Sequence, residues 1–353
     1  MFDSCVVGQR RAVVFLKRLI QTGRIPHALL FVGPEGTGGG AAALEMARTL
    51  HCEAGAEGTC GTCRGCRKTA ALNHADLSLL FPFSARSTQD VQRGTLQEVM
   101  RDPYGYSLPE ATATISVDRI RELQKQFSYG TFEGAWRTAV ILHADHMRAE
   151  ASNALLKTLE EPPDRSVLIL TAPGSEVLLP TVVSRCQVQT FSPLSIRDVA
   201  ETLIAQMGLG ADHAWFIARS CGGNLRRARE MADTEVEDVQ DRAYRFLEAL
   251  IWGEESRTYT ALEQLASDRQ RGLHVLGGAV VWLRDILIYQ NGDADRVSHR
   301  ARLRDIERLS EAFDTERLQQ TVGRVEALRE MNSRNVNFHL GLVSLWRQVR
   351  RYA

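Results

Sequence analysis

The sequence predicts an α/β fold, a parallel sheet flanked by helices, followed by an all-helical C-terminal half. Three observations carry this. Short apolar runs at residues 28–32, 138–142 and 167–171 alternate with stretches of helical spacing, the pattern of a buried parallel sheet. A glycine-rich turn at residues 33–40 links the first run to a helix. After Pro193 the apolar spacing is helical only. The 353 residues suit two or three domains, divided at 1–191, 192–234 and 235–353.

The elements follow in order. Val13, Val14, Leu16, Leu19 and Ile20 recur at helical spacing within residues 1–25. The strand at 28–32, the glycine turn and a helix at 41–50 come next, then a cysteine-rich module at 52–66. Residues 82–114 lack periodicity and are rich in Ser, Thr, Pro and Arg, so they read as a surface insertion. Ile120, Leu123 and Phe127 share one face of a helix over 117–127. The strand at 138–142 runs into His143 and Ala144, and Asp145 is placed as the cap of the next helix. That helix, about 147–161, buries Ala151, Ala154, Leu155 and Leu159 and stops at Pro162-Pro163. Residues 194–232 hold two or three short helices, broken at 208–210 and 222–224. Four longer amphipathic helices are marked by Leu247, Leu250 and Ile251; by Val275, Val280, Leu283, Ile286 and Leu287; by Leu318, Val322, Val325 and Leu328; and by Leu340, Leu342, Val343, Leu345 and Val349.

Lys+Arg and Asp+Glu both total 43, so the net charge is zero. Whole-chain charge therefore gives no argument for nucleic acid or membrane. Arg334, Arg347, Arg350 and Arg351 cluster without local acidic neighbours and read as a solvated helix end. Cys5, Gly8, Gln9 and Arg10 interrupt any secretory leader, and no apolar run reaches the roughly 18 residues of a membrane span. A cytoplasmic location is the expectation, where thiols stay reduced.

Cys52, Cys60, Cys63 and Cys66 lie within fifteen residues, spaced C-x7-C-x2-C-x2-C. Two overlapping C-x-x-C steps let thiolates converge, with Gly58, Gly61 and Gly65 freeing the backbone. Four soft thiolates suit a closed structural Zn²⁺ site. A ferredoxin-type cluster would want Cys and Pro where Ala70 and Ala71 stand. Cys5, Cys186 and Cys221 are isolated and read as packed.

The glycine turn is a phosphate-binding loop without its working side chains. In G-x-x-x-x-G-K-[ST], Gly33 and Gly38 hold the two glycine positions. Gly39 stands for the lysine and Gly40 for the Mg²⁺-binding hydroxyl. The loop, Gly33, Gly36, Gly38, Gly39 and Gly40, still offers backbone N–H groups and a helix N-terminus to a nucleotide. Without the cation and the metal ligand, stable ATP binding and unaided hydrolysis are not expected.

Further motifs come in order along nearly the whole chain: Gly8-Gln9; Gly-Arg-Ile-Pro-His-Ala at 23–28; Leu-Phe-Val-Gly-Pro at 30–34; the cysteine module; Asn-Ala-Leu-Leu-Lys-Thr-Leu-Glu-Glu-Pro-Pro at 153–163; Pro-Thr-Val-Val-Ser-Arg-Cys at 180–186; and Gly-Asn-Leu-Arg at 223–226. With these the chain resembles the clamp-loader branch of the AAA+ family. The resemblance implies a RecA-like nucleotide-binding domain with an embedded zinc module, a small helical lid and an all-α collar. It fixes a register in which motor subunits carry Asp at 142 and Glu at 143; here Leu142 and His143 stand there. It implies a non-hydrolysing subunit within the DNA polymerase III holoenzyme, partnered by gamma/tau and delta subunits in a hetero-pentameric ring that loads a sliding clamp on primed DNA. It assigns Ser184 and Arg185 to a neighbour's ATP site, the arginine acting in trans, and makes Arg226 a sensor arginine of a vestigial site. Two other readings stand beside it. One is a gamma/tau-type ATPase. The other is a stand-alone zinc-dependent nucleic-acid module, which neutral charge and the lack of a basic–aromatic stripe disfavour.

Overall fold

A computed structural model describes residues 5–55, 58–106, 112–233, 236–293, 297–299, 302–330 and 337–350. The chain divides into two compact units. The first comprises Met1–Asp198 with Gly223–Arg226, and the second Val199–Gly222 with Arg227–Ala353.

The first unit opens with α1 (Arg10–Thr22), β1 (Ala28–Val32), α2 (Gly39–Leu50), α3 (Arg64–Ala70) and β2 (Leu77–Leu80). It continues with α4 (Gln89–Arg101), α5 (Val117–Phe127), β3 (Arg137–Ile141), α6 (Ala149–Glu160), β4 (Ser166–Ala172), α7 (Pro180–Val183) and β5 (Gln187–Thr190). The five strands are all parallel, in the order β2-β3-β4-β1-β5. Every residue of β1, β3 and β4 is buried, which is why they read as continuous apolar runs and not as alternating ones. Side chains of one strand still part to opposite faces. Leu29 and Phe31 pack with α1 and α2 residues such as Leu16, Leu44 and Met46. Ala28 and Leu30 pack on the other face with Ile120, Leu123, Leu155 and Leu159.

The edge β2–β3 is held by a buried carboxylate. Asp76 accepts hydrogen bonds from the backbone N–H of Phe132, Glu133 and Gly134 at 2.8, 2.8 and 2.9 Å. Arg137 donates to it at 3.0 Å. Burial alone would raise the Asp76 pKa; the donors outweigh it and bring it to about 2.

Two expectations are corrected here. Residues 82–114 are not an irregular insertion: they contain α4, capped by Thr88 and burying Val99 and Met100, and Phe83 bridges Thr114. Asp145 does not cap α6. It lies in a 3₁₀ turn, Ala144–His146, and the residue before α6 is Arg148, without a side-chain cap. Asp145 instead pairs with His146 at 3.6 Å.

The second unit contains most of α8 (Ile196–Met207), then α9 (Ala211–Ser220), most of α10 (Leu225–Ala232), whose first two residues belong to the first unit as do the first three of α8, α11 (Val236–Trp252), α12 (Glu255–Ser267), α13 (Arg269–Gln290), α14 (Leu303–Ser310), α15 (Thr315–Glu330) and α16 (Phe338–Arg350). Its core gathers Leu247, Trp282, Leu283, Ile286, Val325 and Leu342. Helix α13 is, among the described residues, the one helix long and apolar enough to cross a membrane. It is mostly buried among its neighbours, as a core helix is. Arg350 is not without an acidic neighbour: it lies 3.7 Å from Glu255. Arg334 and Arg351 lie outside the described residues.

Candidate functional site

The cysteine module folds so that four sulfur atoms meet. Cys63 caps α3, accepting from the Cys66 N–H at 3.3 Å. Cys60 and Cys52 accept in the same way, from Cys63 N at 3.4 Å and Cys60 N at 3.3 Å. Gly65 lies against the His51 carbonyl, too close for a β-carbon. The ligand atoms of Cys52, Cys60, Cys63 and Cys66 all lie within 4.8 Å of one another, with 3.9 Å between Cys60 and Cys66 and 4.0 Å between Cys52 and Cys63. Four sulfurs about 2.3 Å from a tetrahedral ion are about 3.8 Å apart, so the set fits a metal ion. Donation from Thr62 and Cys63 lowers the Cys60 thiol to about 6, which favours the thiolate a metal needs. Burial pushes the Cys66 thiol up.

The glycine loop lies where the carboxyl ends of β1, β3 and β4 come together. Gly33 N donates to Ala172 O at 3.1 Å, and His143 N to Thr171 Oγ1 at 3.0 Å. Gln9 holds the loop from below through Thr37 O and Ser192 O, at 2.9 and 2.6 Å. Gly36 and Gly38 have φ of +71° and +106°, which a side chain rarely adopts. Leu225 N donates to Gly36 O at 3.0 Å, bringing Arg226 over the loop. Arg226 pairs with Glu35 at 2.8 Å, and His143 lies 3.8 Å from the same carboxylate. Burial lowers the His143 pKa, which favours its neutral form.

Sequence reasoning missed the other residues here. Asp102-Pro103-Tyr104-Gly105 makes a turn, with Gly105 N donating to Asp102 O at 3.2 Å and Tyr104 N to Asp102 Oδ1 at 3.2 Å. Asp, Pro and Gly at the first, second and fourth positions are the residues of a type I turn, the one local signal available. It delivers two hydroxyls to the loop. Tyr104 Oη accepts from Val7 N at 2.9 Å and stands 2.7 Å from where a β-carbon on Gly38 would lie. Tyr106 Oη stands 2.5 Å from a β-carbon on Gly40.

Arg185 lies apart from this cluster, between α7 and the edge strand β5. Its guanidinium donates to Thr181 O at 2.9 Å and pairs with Glu160 at 2.8 Å. The two side chains are 35% and 51% exposed. Ser184 Oγ donates to Thr181 O at 3.2 Å.

A parallel sheet in this strand order, with a glycine loop after β1, is an AAA+-like architecture. Comparisons with known proteins narrow the class. The family described as DNA polymerase III, delta subunit, matches residues 8–195, more than half the chain, and its C-terminal counterpart matches residues 238–350. The delta' subunit of DNA polymerase III from Bacillus subtilis is 34% identical over 198 residues, covering 56% of this chain and 52% of that protein. The Pseudomonas aeruginosa delta' subunit is 36% identical over 170 residues, covering 48% and 43%. The gamma/tau subunit of Mycobacterium tuberculosis is 28% identical over 251 residues, covering 69% and 39%. The chain spans about half the length, or less, of these relatives. It belongs to the delta-prime family of DNA polymerase III clamp-loader subunits.

Proposed function

We propose that this chain is a non-hydrolysing subunit of a DNA polymerase III clamp loader that lends Arg185 to the ATP site of a neighbouring motor subunit. One observation carries the reading: the loop keeps its shape while Gly39 and Gly40 replace the lysine and the Mg²⁺ ligand, and Leu142 and His143 replace both hydrolytic carboxylates. Loss of both halves together removes metal binding and water activation from the same site. A guanidinium reaching a γ-phosphoryl group from outside neutralises charge as it develops and accelerates transfer by ~10³–10⁵ in other systems. Ser184 is exposed and Arg185 half-buried at the surface between α7 and β5, which suits that task. Residues 192–234 serve as the lid and 235–353 as the collar of a hetero-pentameric ring with gamma/tau and delta subunits, acting on a sliding clamp and primed DNA in the cytoplasm.

Cys52, Cys60, Cys63 and Cys66 hold a structural Zn²⁺ in this reading, supported by four convergent sulfurs with no other ligand type. Metal analysis should return one zinc per chain, and chelation should lower the melting temperature; zinc-free protein of unchanged stability would refute it.

The functional test is ATP turnover by the chain alone and mixed with its motor partner, clamp and primed DNA. No turnover alone, stimulation in the mixture and loss of that stimulation with Arg185→Ala is the expected set. The longer gamma/tau match favours one alternative, a gamma/tau-type ATPase, and turnover by the isolated chain would establish it.

A further inference from the structure

Gly39 and Gly40 are both missing a side chain, but their surroundings differ. A β-carbon on Gly39 would meet its nearest atom, on Phe191, at 3.8 Å, ordinary contact distance. One on Gly40 would meet Tyr106 Oη at 2.5 Å, closer than a real β-carbon tolerates. Moving Tyr106 aside would break its ring packing. Its ring is packed edge-on to Phe81 at 5.6 Å and to His143 at 5.8 Å between centroids. The phenol therefore occupies the space into which a side chain at residue 40 would extend.

Around it the chain supplies its own anion. The Glu35 carboxylate takes Arg226 at 2.8 Å and faces His143 at 3.8 Å. Tyr104 fills the neighbouring space against Gly38 and ties down Val7.

We propose that the turn at residues 102–106 is a built-in occupant of the phosphate loop: Tyr106 takes the place of the cation and β/γ-phosphates of a nucleoside triphosphate, and Glu35 takes the place of the terminal phosphate's charge toward Arg226. This rests on reading residues 33–40 as a degenerate phosphate loop, and it gives the segment 82–114 a role. The glycine at 40 is then a requirement of the occupant as much as a loss of catalysis, and the motif glycine at 38 leaves room for Tyr104. Putting back the lysine and hydroxyl does not restore a site while the tyrosine remains.

The test is binding of a fluorescent ATP analogue with Mg²⁺ to the full chain and three variants: Tyr106→Ala, Gly39→Lys/Gly40→Thr, and all three changes together. The expected result is no saturable binding by the native chain or the two-glycine variant, and a gain of at least about tenfold in the combined variant. Native chain binding as tightly as the combined variant overturns the proposal, as does the two-glycine variant doing so, or a folded combined variant that does not bind. Thermal melting of Gly40→Ala in both backgrounds is independent of any ligand. With Tyr106 present Gly40→Ala should lower the melting temperature by about 3 °C or more, and with Tyr106→Ala by much less. Equal loss in both backgrounds also overturns it. Stimulation of a motor partner through Arg185 is a separate readout, so failure here leaves the arginine-donor reading standing, and the reverse.

Discussion

Arg185 and Arg226 each pair with a carboxylate at 2.8 Å, Glu160 for the first and Glu35 for the second. The surroundings of the two pairs differ. Glu35 belongs to the glycine loop, and its carboxylate also lies 3.8 Å from His143. Glu160 ends helix α6, and its pair lies at the rim of the sheet beside the exposed edge strand β5. An exposed ion pair is worth ~1 kcal/mol or less, so Glu160 holds Arg185 only weakly. The Arg226 pair has its anion already in place. The lesson is that identical pair geometry says little about availability; what lies behind the carboxylate decides it.

The largest effect that would break this contrast is at Arg185. Arg185→Lys keeps the charge but loses the planar fork, and most of the ~10³-fold loss expected for Arg185→Ala should remain. Turnover of the motor partner in the reconstituted mixture measures it, and full activity of the lysine variant would reduce Arg185 to a point charge.

Both arginines rest on one sheet, so weakening the sheet should harm them alike. Asp76→Ala leaves Arg137 buried without its partner and should cost on the order of 3–5 kcal/mol in denaturant unfolding. Acid gives the same test without mutation. The folded-state pKa of Asp76 is about 2, below its unfolded value, so its contribution is present above about pH 4 and fades as pH falls toward 2. That window should remove ~2 kcal/mol, and the loss should be absent in Asp76→Asn.

Smaller effects sharpen the contrast. Arg226→Ala should lower stability by ~1 kcal/mol or less and leave motor stimulation within about threefold; a loss as large as that of Arg185→Ala would mean that Arg226 also serves the reaction. Glu160→Gln should raise stimulated turnover by up to about fivefold, the worth of an exposed pair. A fall would mean that Glu160 positions the guanidinium instead of competing for it.

What could be read from sequence followed from how each signal is written. β1, β3 and β4 were legible because strands buried on both faces are unbroken apolar runs. β5, Gln-Val-Gln-Thr, is an exposed edge and carries no such run. β2 is only four residues. α4 was hidden because its core contact rests on Val99 and Met100 at one end. The cysteine centre was legible because its donors are close in sequence and of one chemistry. Tyr104, Tyr106 and Glu35 were not, since their meeting with Gly38, Gly40 and Arg226 is set by tertiary packing, 66 residues apart for Tyr106 and Gly40 and 191 for Glu35 and Arg226. The misplacement of Asp145 has a similar cause: a 3₁₀ turn between strand and helix shifts the cap by three residues.

Helix α13 bears on how the second unit comes into being. It packs on α11, made before it, and on α14 and α15, made after it. Gly277, near its middle, runs against the Ser220 carbonyl of α9. An apolar helix with partners on both sides in sequence cannot be covered while it is being synthesised. The nascent chain must carry it open until residues beyond Leu303 have left the ribosome, the stage at which exposed apolar surface invites aggregation. The cover of α13 is complete only once α14 and α15 are present, and exposed apolar surface before that stage invites aggregation.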